Sequence, residues 1–206
     1  MSNKKKIGII AAGIALLLAA GCLTMWLLFT FVGGRMISRS EINIDLKEAG
    51  LVPKAENYTN WENTGLDGHI GGHYVSALSY MYAATGNMEI KGRLDYMISE
   101  LQRCQDSDGY LSGVVNGRKV WKEIKEGNIR ASGFGLNDGW VPLYNIHKLF
   151  AGLRDAYLIG GKSEAKDMLV KLTDWMIRVV ENLSEEQMQD MLRSEHGGLN
   201  ETFADV

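Results

Sequence analysis

The chain has 206 residues, with 22 Lys and Arg against 25 Asp and Glu and a net charge of −3. That balance provides no broad basic surface and argues against nucleic acid as a partner. The length suits one folded domain, and two cysteines, Cys22 and Cys104, make neither a disulfide framework nor a CxxC metal knuckle.

The N-terminal segment carries the first signal. Lys4, Lys5 and Lys6 precede an apolar run, 7–34, that contains no charged residue. About 20 apolar residues span the ~30 Å hydrocarbon core of a bilayer, whereas a cleaved signal peptide has an apolar core of about 7–15. The run therefore predicts a signal anchor over 1–35: a Lys cluster inside the cytoplasm and a single transmembrane helix, with the rest of the chain outside. Arg35 and Arg39 on the far flank oppose that orientation. Leu18-Ala19-Ala20-Gly21-Cys22 also matches a lipoprotein processing site, so the alternatives are a secreted chain or one lipid-anchored at Cys22.

Residues 36–63 read as a polar, irregular lead-in, and 64–206 as a helical domain. Tyr74, Ala77, Leu78, Met81 and Tyr82 recur at helical spacing, and Gly86 ends that stretch. Ile90, Leu94, Met97, Ile98, Leu101 and Cys104 form the next stripe. Gly86-Asn87 between them predicts an antiparallel helical hairpin. The segment 106–139 is rich in Gly, Asp, Asn and Ser, with a short amphipathic piece at 120–124. A connection this long is usually functional or disordered.

A second hairpin follows. Leu149, Phe150, Leu153, Ala156 and Tyr157 make one stripe, ended by Gly160-Gly161. The strongest stripe in the chain runs from Met168 through Leu169, Leu172, Trp175, Met176 and Val179 to Leu183. Ser184 with Gln187 predicts a capping box, and His196-Gly197-Gly198 leads into a further helix from Leu199. Leu78, Tyr82, Gly86 and Leu94 each match a residue 75 positions later: Leu153, Tyr157, Gly161 and Leu169. No run alternates with period two, so the reading is all-α: repeated hairpins in a solenoid or an α/α toroid. An array ending at Val206 would leave its last hairpin uncovered, so either a second chain covers that open helical edge or the chain is a fragment.

Of the four histidines, His69 and His73 have the i, i+4 spacing that can chelate a metal on a helix. The intervening Ile70-Gly71-Gly72 is poor helix interior and no HExxH glutamate is present, so no metal ligand is assigned. Polar residues gather where helices begin: Asp67, Gly68 and His69 before the first, Trp140 and His147 around the start of the second hairpin, Glu195 and His196 before the third. In an α/α array these ends share one face. Tryptophan and histidine beside carboxylates suit a sugar, while capping and hinge roles fit the same residues.

Ordered motifs carry a resemblance. They are Gly65-Leu66-Asp67-Gly68-His69-Ile70-Gly71-Gly72-His73-Tyr74, Asp108-Gly109-Tyr110-Leu111, Gly139-Trp140-Val141-Pro142 with Tyr144-Asn145-Ile146-His147-Lys148, Phe150-Ala151-Gly152-Leu153, and Glu195-His196-Gly197-Gly198-Leu199-Asn200-Glu201. Together, from about residue 48 to 206, the chain resembles glycoside hydrolase family 127, the β-L-arabinofuranosidase-like enzymes. The resemblance implies an (α/α)6 barrel that releases terminal arabinose from glycans. It also implies a cysteine nucleophile held as thiolate beside zinc, and a separate acid/base glutamate. By motif, His147 and His196 are the implied substrate-binding residues, with His69 and Trp140 beside them. The implied nucleophile, zinc ligands and acid/base glutamate have no match in this sequence, and Cys104 reads as core. The expectation is a partial glycoside hydrolase domain, inactive alone, with no catalytic residue and no cofactor of its own. The alternative is a membrane-tethered carbohydrate-binding or partner-docking module. Asn57, Asn182 and Asn200 head Asn-x-Ser/Thr triplets.

Overall fold

A computed structural model of the protein describes residues 43–53, 56, 57, 65 and 68–206. The anchor expected over 7–34, the Lys cluster, Cys22 and the helix-opening Asp67 lie outside the described residues. Among the described residues no helix is long and apolar enough to cross a membrane. They form eight helices and one short β-ribbon: α1 Asn43–Glu48, α2 Gly68–Thr85, α3 Met88–Cys104, α4 Gly117–Lys125, β1 Gly135–Leu136, β2 Gly139–Trp140, α5 Pro142–Leu158, α6 Ser163–Val180, α7 Glu185–Met191 and α8 Leu199–Ala204.

Both expected hairpins are present. Asn87 begins α3 by accepting from the Glu89 N–H at 2.8 Å and the Ile90 N–H at 3.4 Å, the side-chain cap that an exposed helix start requires. Gly86 and Gly161, the repeat-related pair, both have positive φ, at +63° and +68°. Leu78, Leu94, Leu153 and Leu169 are all buried, whereas the remaining repeat pair diverges: Tyr82 is half-buried and Tyr157 is exposed. The α3 and α6 stripes face the core as expected. The expected capping box is complete, with Ser184 accepting from the Gln187 N–H and Gln187 accepting from the Ser184 N–H.

The expected α2 stripe holds only in part: Leu78 is buried and Tyr74 packs partly on the core. Ala77 and Met81 are exposed, and the buried seam is Gly68, Gly71, Gly72, Val75, Leu78 and Ser79. The cause is the closeness of α5. A Cβ at Gly72 would lie 2.0 Å from the Lys148 carbonyl oxygen, and one at Gly152 would lie 2.7 Å from the Gly72 carbonyl oxygen. Backbone meets backbone there, so the seam excludes large side chains. The same contacts fix direction. His73 meets Tyr144, Gly72 meets Lys148 and Gly152, and the position of Gly160 meets Ser79. Both helices advance together, so α2 and α5 run parallel, each followed by its antiparallel partner α3 or α6. A third helix, α8, packs on α5 through the edge-to-face pair Phe150–Phe203, 4.9 Å between ring centres, and the 2.6 Å Arg154–Asp205 ion pair.

Two further expectations are corrected. The lead-in 36–63 contains α1, which buries Leu46 in the common core and whose Glu48 accepts from the Asn116 and Gly117 N–H groups at 2.8 and 3.0 Å. Six residues are too few to show a periodic stripe. The ribbon contradicts the absence of a sheet: Gly135 pairs with Trp140 and Leu136 with Gly139. Its turn residues Asn137 and Asp138 both have positive φ, +49° and +65°, the geometry that matches a tight hairpin to strand twist. Two-residue strands are too short to alternate. The segment 106–139 is thus a folded insert. Its Tyr110, Leu111, Val120, Trp121 and Ile124 join the core, and the buried Asn137 side chain ties the ribbon to Glu123 and the Asn128 carbonyl.

Candidate functional site

The parallel course of α2 and α5 brings their N-terminal turns together, and the loop before α8 folds onto the same place. From α2 come His69 and His73. From α5 come Tyr144, His147 and Lys148. The rings form a connected group: His69 lies 5.5 Å from His73 and 5.8 Å from Tyr144, and Tyr144 lies 6.2 Å from His147. His73 Nε2 is 3.3 Å from the Tyr144 hydroxyl, and Lys148 Nζ sits 4.8 Å from the centre of the Tyr144 ring.

The loop contact is specific. The Gly198 N–H donates to His147 Nδ1 at 3.3 Å. A Cβ on Gly197 would stand 2.8 Å from the same nitrogen and 3.0 Å from Tyr144 Cδ2, and its φ is +54°. Only a residue without a side chain closes this turn on the ring. Glu195 accepts from the Gly197 N–H at 3.1 Å, and the Glu195 N–H donates to the Gly133 carbonyl at 2.9 Å. The loop is therefore pinned both to the histidine face and to the insert that precedes the ribbon.

Protonation follows from these contacts. Because His147 Nδ1 accepts, its proton sits on Nε2 and the ring is neutral. Burial pushes its pKa down to about 4, with the Lys148 cation and His73 adding to the effect. His73 is likewise lowered to about 4 by desolvation, then by Lys148 and His69. Desolvation also lowers Lys148, and raises Tyr144, with Glu195 assisting. His196 has the other polarity: its Nδ1 faces the Ser194 carbonyl at 3.1 Å. A carbonyl can only accept, so Nδ1 carries a proton in this contact. His147 thus offers a donor at Nε2.

Of the residues expected from the sequence, His69 and His147 lie in the ring group, and His196 lies on the loop that closes over His147. Trp140 is half-buried at the end of the ribbon, four residues before Tyr144, and its carbonyl accepts from the Asn145 side chain at 3.3 Å. His73, Tyr144 and Lys148 belong to the group although the sequence reading did not select them. Their signal was the α2–α5 register, which the repeat spacing alone does not reveal. Val141, at φ +39°, is a β-branched residue in left-handed geometry where the chain turns from ribbon into α5, a strained joint of the kind that gathers at functional sites.

The implied zinc does not fit the described residues. Among them no group of three or more His, Cys, Asp and Glu is arranged to hold a metal ion. Their one cysteine, Cys104, is buried at the end of α3, and burial, with Asp45 and Glu100, pushes its thiol up to about 12. A thiolate nucleophile requires the opposite environment.

The family model described as β-L-arabinofuranosidase, GH127 catalytic domain, matches residues 29–206. No curated protein matches the chain significantly.

Proposed function

Because the chain belongs to the family of the β-L-arabinofuranosidase GH127 catalytic domain, we propose that its helices carry part of a sugar-binding face for arabinose-containing glycans, without catalysing hydrolysis alone. The observation that carries this reading is the bond from the Gly198 N–H to His147 Nδ1. It locks the imidazole with its proton on Nε2 and holds the His196 loop beside it. In the proposed role His147 donates to a sugar oxygen and His196 hydrogen-bonds to a neighbouring hydroxyl. His69 and Trp140 supply ring surface, and Tyr144 joins them. Cleavage by the zinc–thiolate route is not assigned to this chain, since Cys104 is buried and no other residue here matches the nucleophile.

Two further parts of the reading concern the setting. The charge-free run 7–34 behind Lys4–Lys6 is proposed to tether the domain to a membrane, with the helices outside the cytoplasm. A second chain is proposed to cover the edge where Tyr80, Met81, Leu158 and Phe203 stay exposed. In this form the chain serves as a docking module, and a monomer by sedimentation would refute that part.

The binding reading is tested by titrating the full chain in detergent micelles with methyl β-L-arabinofuranoside. Binding is expected to saturate, and His147→Ala should weaken it about tenfold, the equivalent of one hydrogen bond of roughly 1.4 kcal/mol. No saturation at millimolar sugar, or equal affinity in the variant, would remove the binding reading. Release of arabinose by the purified chain would refute its non-catalytic half.

A further inference from the structure

Away from the histidine face, a cavity of about 370 Å³ opens between α4 and α6. That volume lies at the lower end of the ~300–1,000 Å³ typical of small-molecule sites. Its apolar wall is Trp121, Trp175 and Val179, the two indoles meeting edge to face at 5.6 Å. Its rim carries Arg118, Lys122, Lys125, Arg178 and a single carboxylate, Asp108.

Internal pairing accounts for only some of this charge. Arg118 holds Asp108 through bonds of 2.7 and 3.1 Å and also pairs with Asp106. Lys122 faces Glu126 at 3.9 Å. Arg178 donates to the Asp108 carbonyl, a neutral group, while the Asp108 carboxylate is already engaged by Arg118. Among the described residues neither Lys125 nor Arg178 has a carboxylate at ion-pair distance. The wall adds a second, independent observation: Trp121 Nε1 is buried with no hydrogen-bond partner, although its side chain is only 2% exposed. An orphaned buried donor is unfavourable until an acceptor reaches it. Two cations without a carboxylate at ion-pair distance, set around an apolar hollow, ask for an anion that carries an apolar face.

We propose that this cavity binds a carboxylate-bearing sugar, a uronate unit of an acidic glycan, with its carboxylate between Lys125 and Arg178 and its ring against Trp121, Trp175 and Val179. The requirement for a carboxylate comes from the cavity itself; the choice of a sugar as its carrier rests on the proposed glycan function. Small carboxylates such as acetate satisfy the cations but leave the indole wall uncovered, so the site discriminates in favour of the uronate.

The test follows the Trp121 indole ¹H–¹⁵N resonance of the full chain in micelles, assigned with Trp121→Phe, during titration with galacturonate, galactose and acetate. Galacturonate should shift the resonance saturably, with galactose and acetate at least tenfold weaker. Lys125→Gln and Arg178→Gln, both at exposed positions, should each weaken galacturonate about tenfold while leaving the helical circular dichroism unchanged. His147→Ala should leave this titration unaltered, so failure of the arabinose face and failure of this cavity are read separately. Galactose binding as tightly as galacturonate would overturn the anion site. Acetate doing so would overturn the sugar. No shift with galacturonate, or a shift indifferent to both Gln variants, would overturn the proposal entirely.

Discussion

Replacing Gly72 by alanine tests whether the α2–α5 seam organises the domain. The new Cβ would stand 2.0 Å from the Lys148 carbonyl oxygen, 2.2 Å from its carbon and 2.7 Å from the Leu149 nitrogen. All three are backbone atoms, so no side chain can turn aside and the two helices must separate. Overpacking of this kind costs roughly 1–3 kcal/mol, and a wholly backbone clash belongs at the upper end. Alanine's better helix propensity returns about 1 kcal/mol, which leaves a net loss of about 2 kcal/mol. For a unit of this size that is a fall of roughly 4–8 °C in Tm. Gly92 supplies the control, because it is exposed inside α3 and a Cβ there meets nothing within 4 Å. Gly92→Ala should stabilise by about 0.5–1 kcal/mol. Urea unfolding followed by circular dichroism measures both. If Gly72→Ala is neutral or stabilising, the close-contact account of the seam is wrong. If both variants lose stability, the propensity argument fails instead.

Three other outcomes are expected. His73 and His147 protonate near pH 4 in the folded chain, against an ordinary value of 6.5. Between those values the unfolded chain binds the more protons, so their contribution to stability falls as pH drops from 6.5 towards 4 and is flat above 7. Unfolding midpoints measured across that range should show a slope that His147→Gln reduces, and an unchanged slope would contradict the assignment. Cys104 should resist iodoacetamide at pH 8 in the folded chain and react on addition of urea, as read by peptide mapping; rapid native labelling would contradict its burial. Ser184→Ala removes the acceptor for the Gln187 N–H and should cost about 1 kcal/mol. Hydrogen exchange of the first α7 amides would report it, and unchanged protection would show the cap to be idle.

What could be read from the sequence, and what could not, follows from the physics of each element. The stripes of α3 and α6 were legible because large apolar side chains repeat on one face, and the Ser184 box because a cap is written within four residues. The α2 seam was legible only at Leu78 and, in part, Tyr74, for a definite reason. Glycine at 68 and 72 weakens a helix taken alone, and only the neighbouring backbone, invisible in a linear sequence, turns that into a packing surface. The α1 helix and the ribbon escaped notice because six and two residues show no period. Within the site, His147 and His196 were singled out by motif. Tyr144 and Lys148 stood in the same motif, but their part depended on how α5 is placed against α2. His73 was discounted because its intervening glycines look unfavourable in a helix.

The parallel course of α2 and α5 has an electrostatic consequence. Each helix sums its peptide dipoles to roughly half a positive charge at its N-terminus, and running side by side they place both positive poles on the histidine face. The first turns there carry no acidic residue, so nothing on the two helices neutralises the field. It acts in the same direction as burial, disfavouring a second proton on the imidazoles and favouring electron-rich atoms opposite them. Such a face favours electron-rich oxygen atoms, a polarity determined by backbone direction before any side chain is considered.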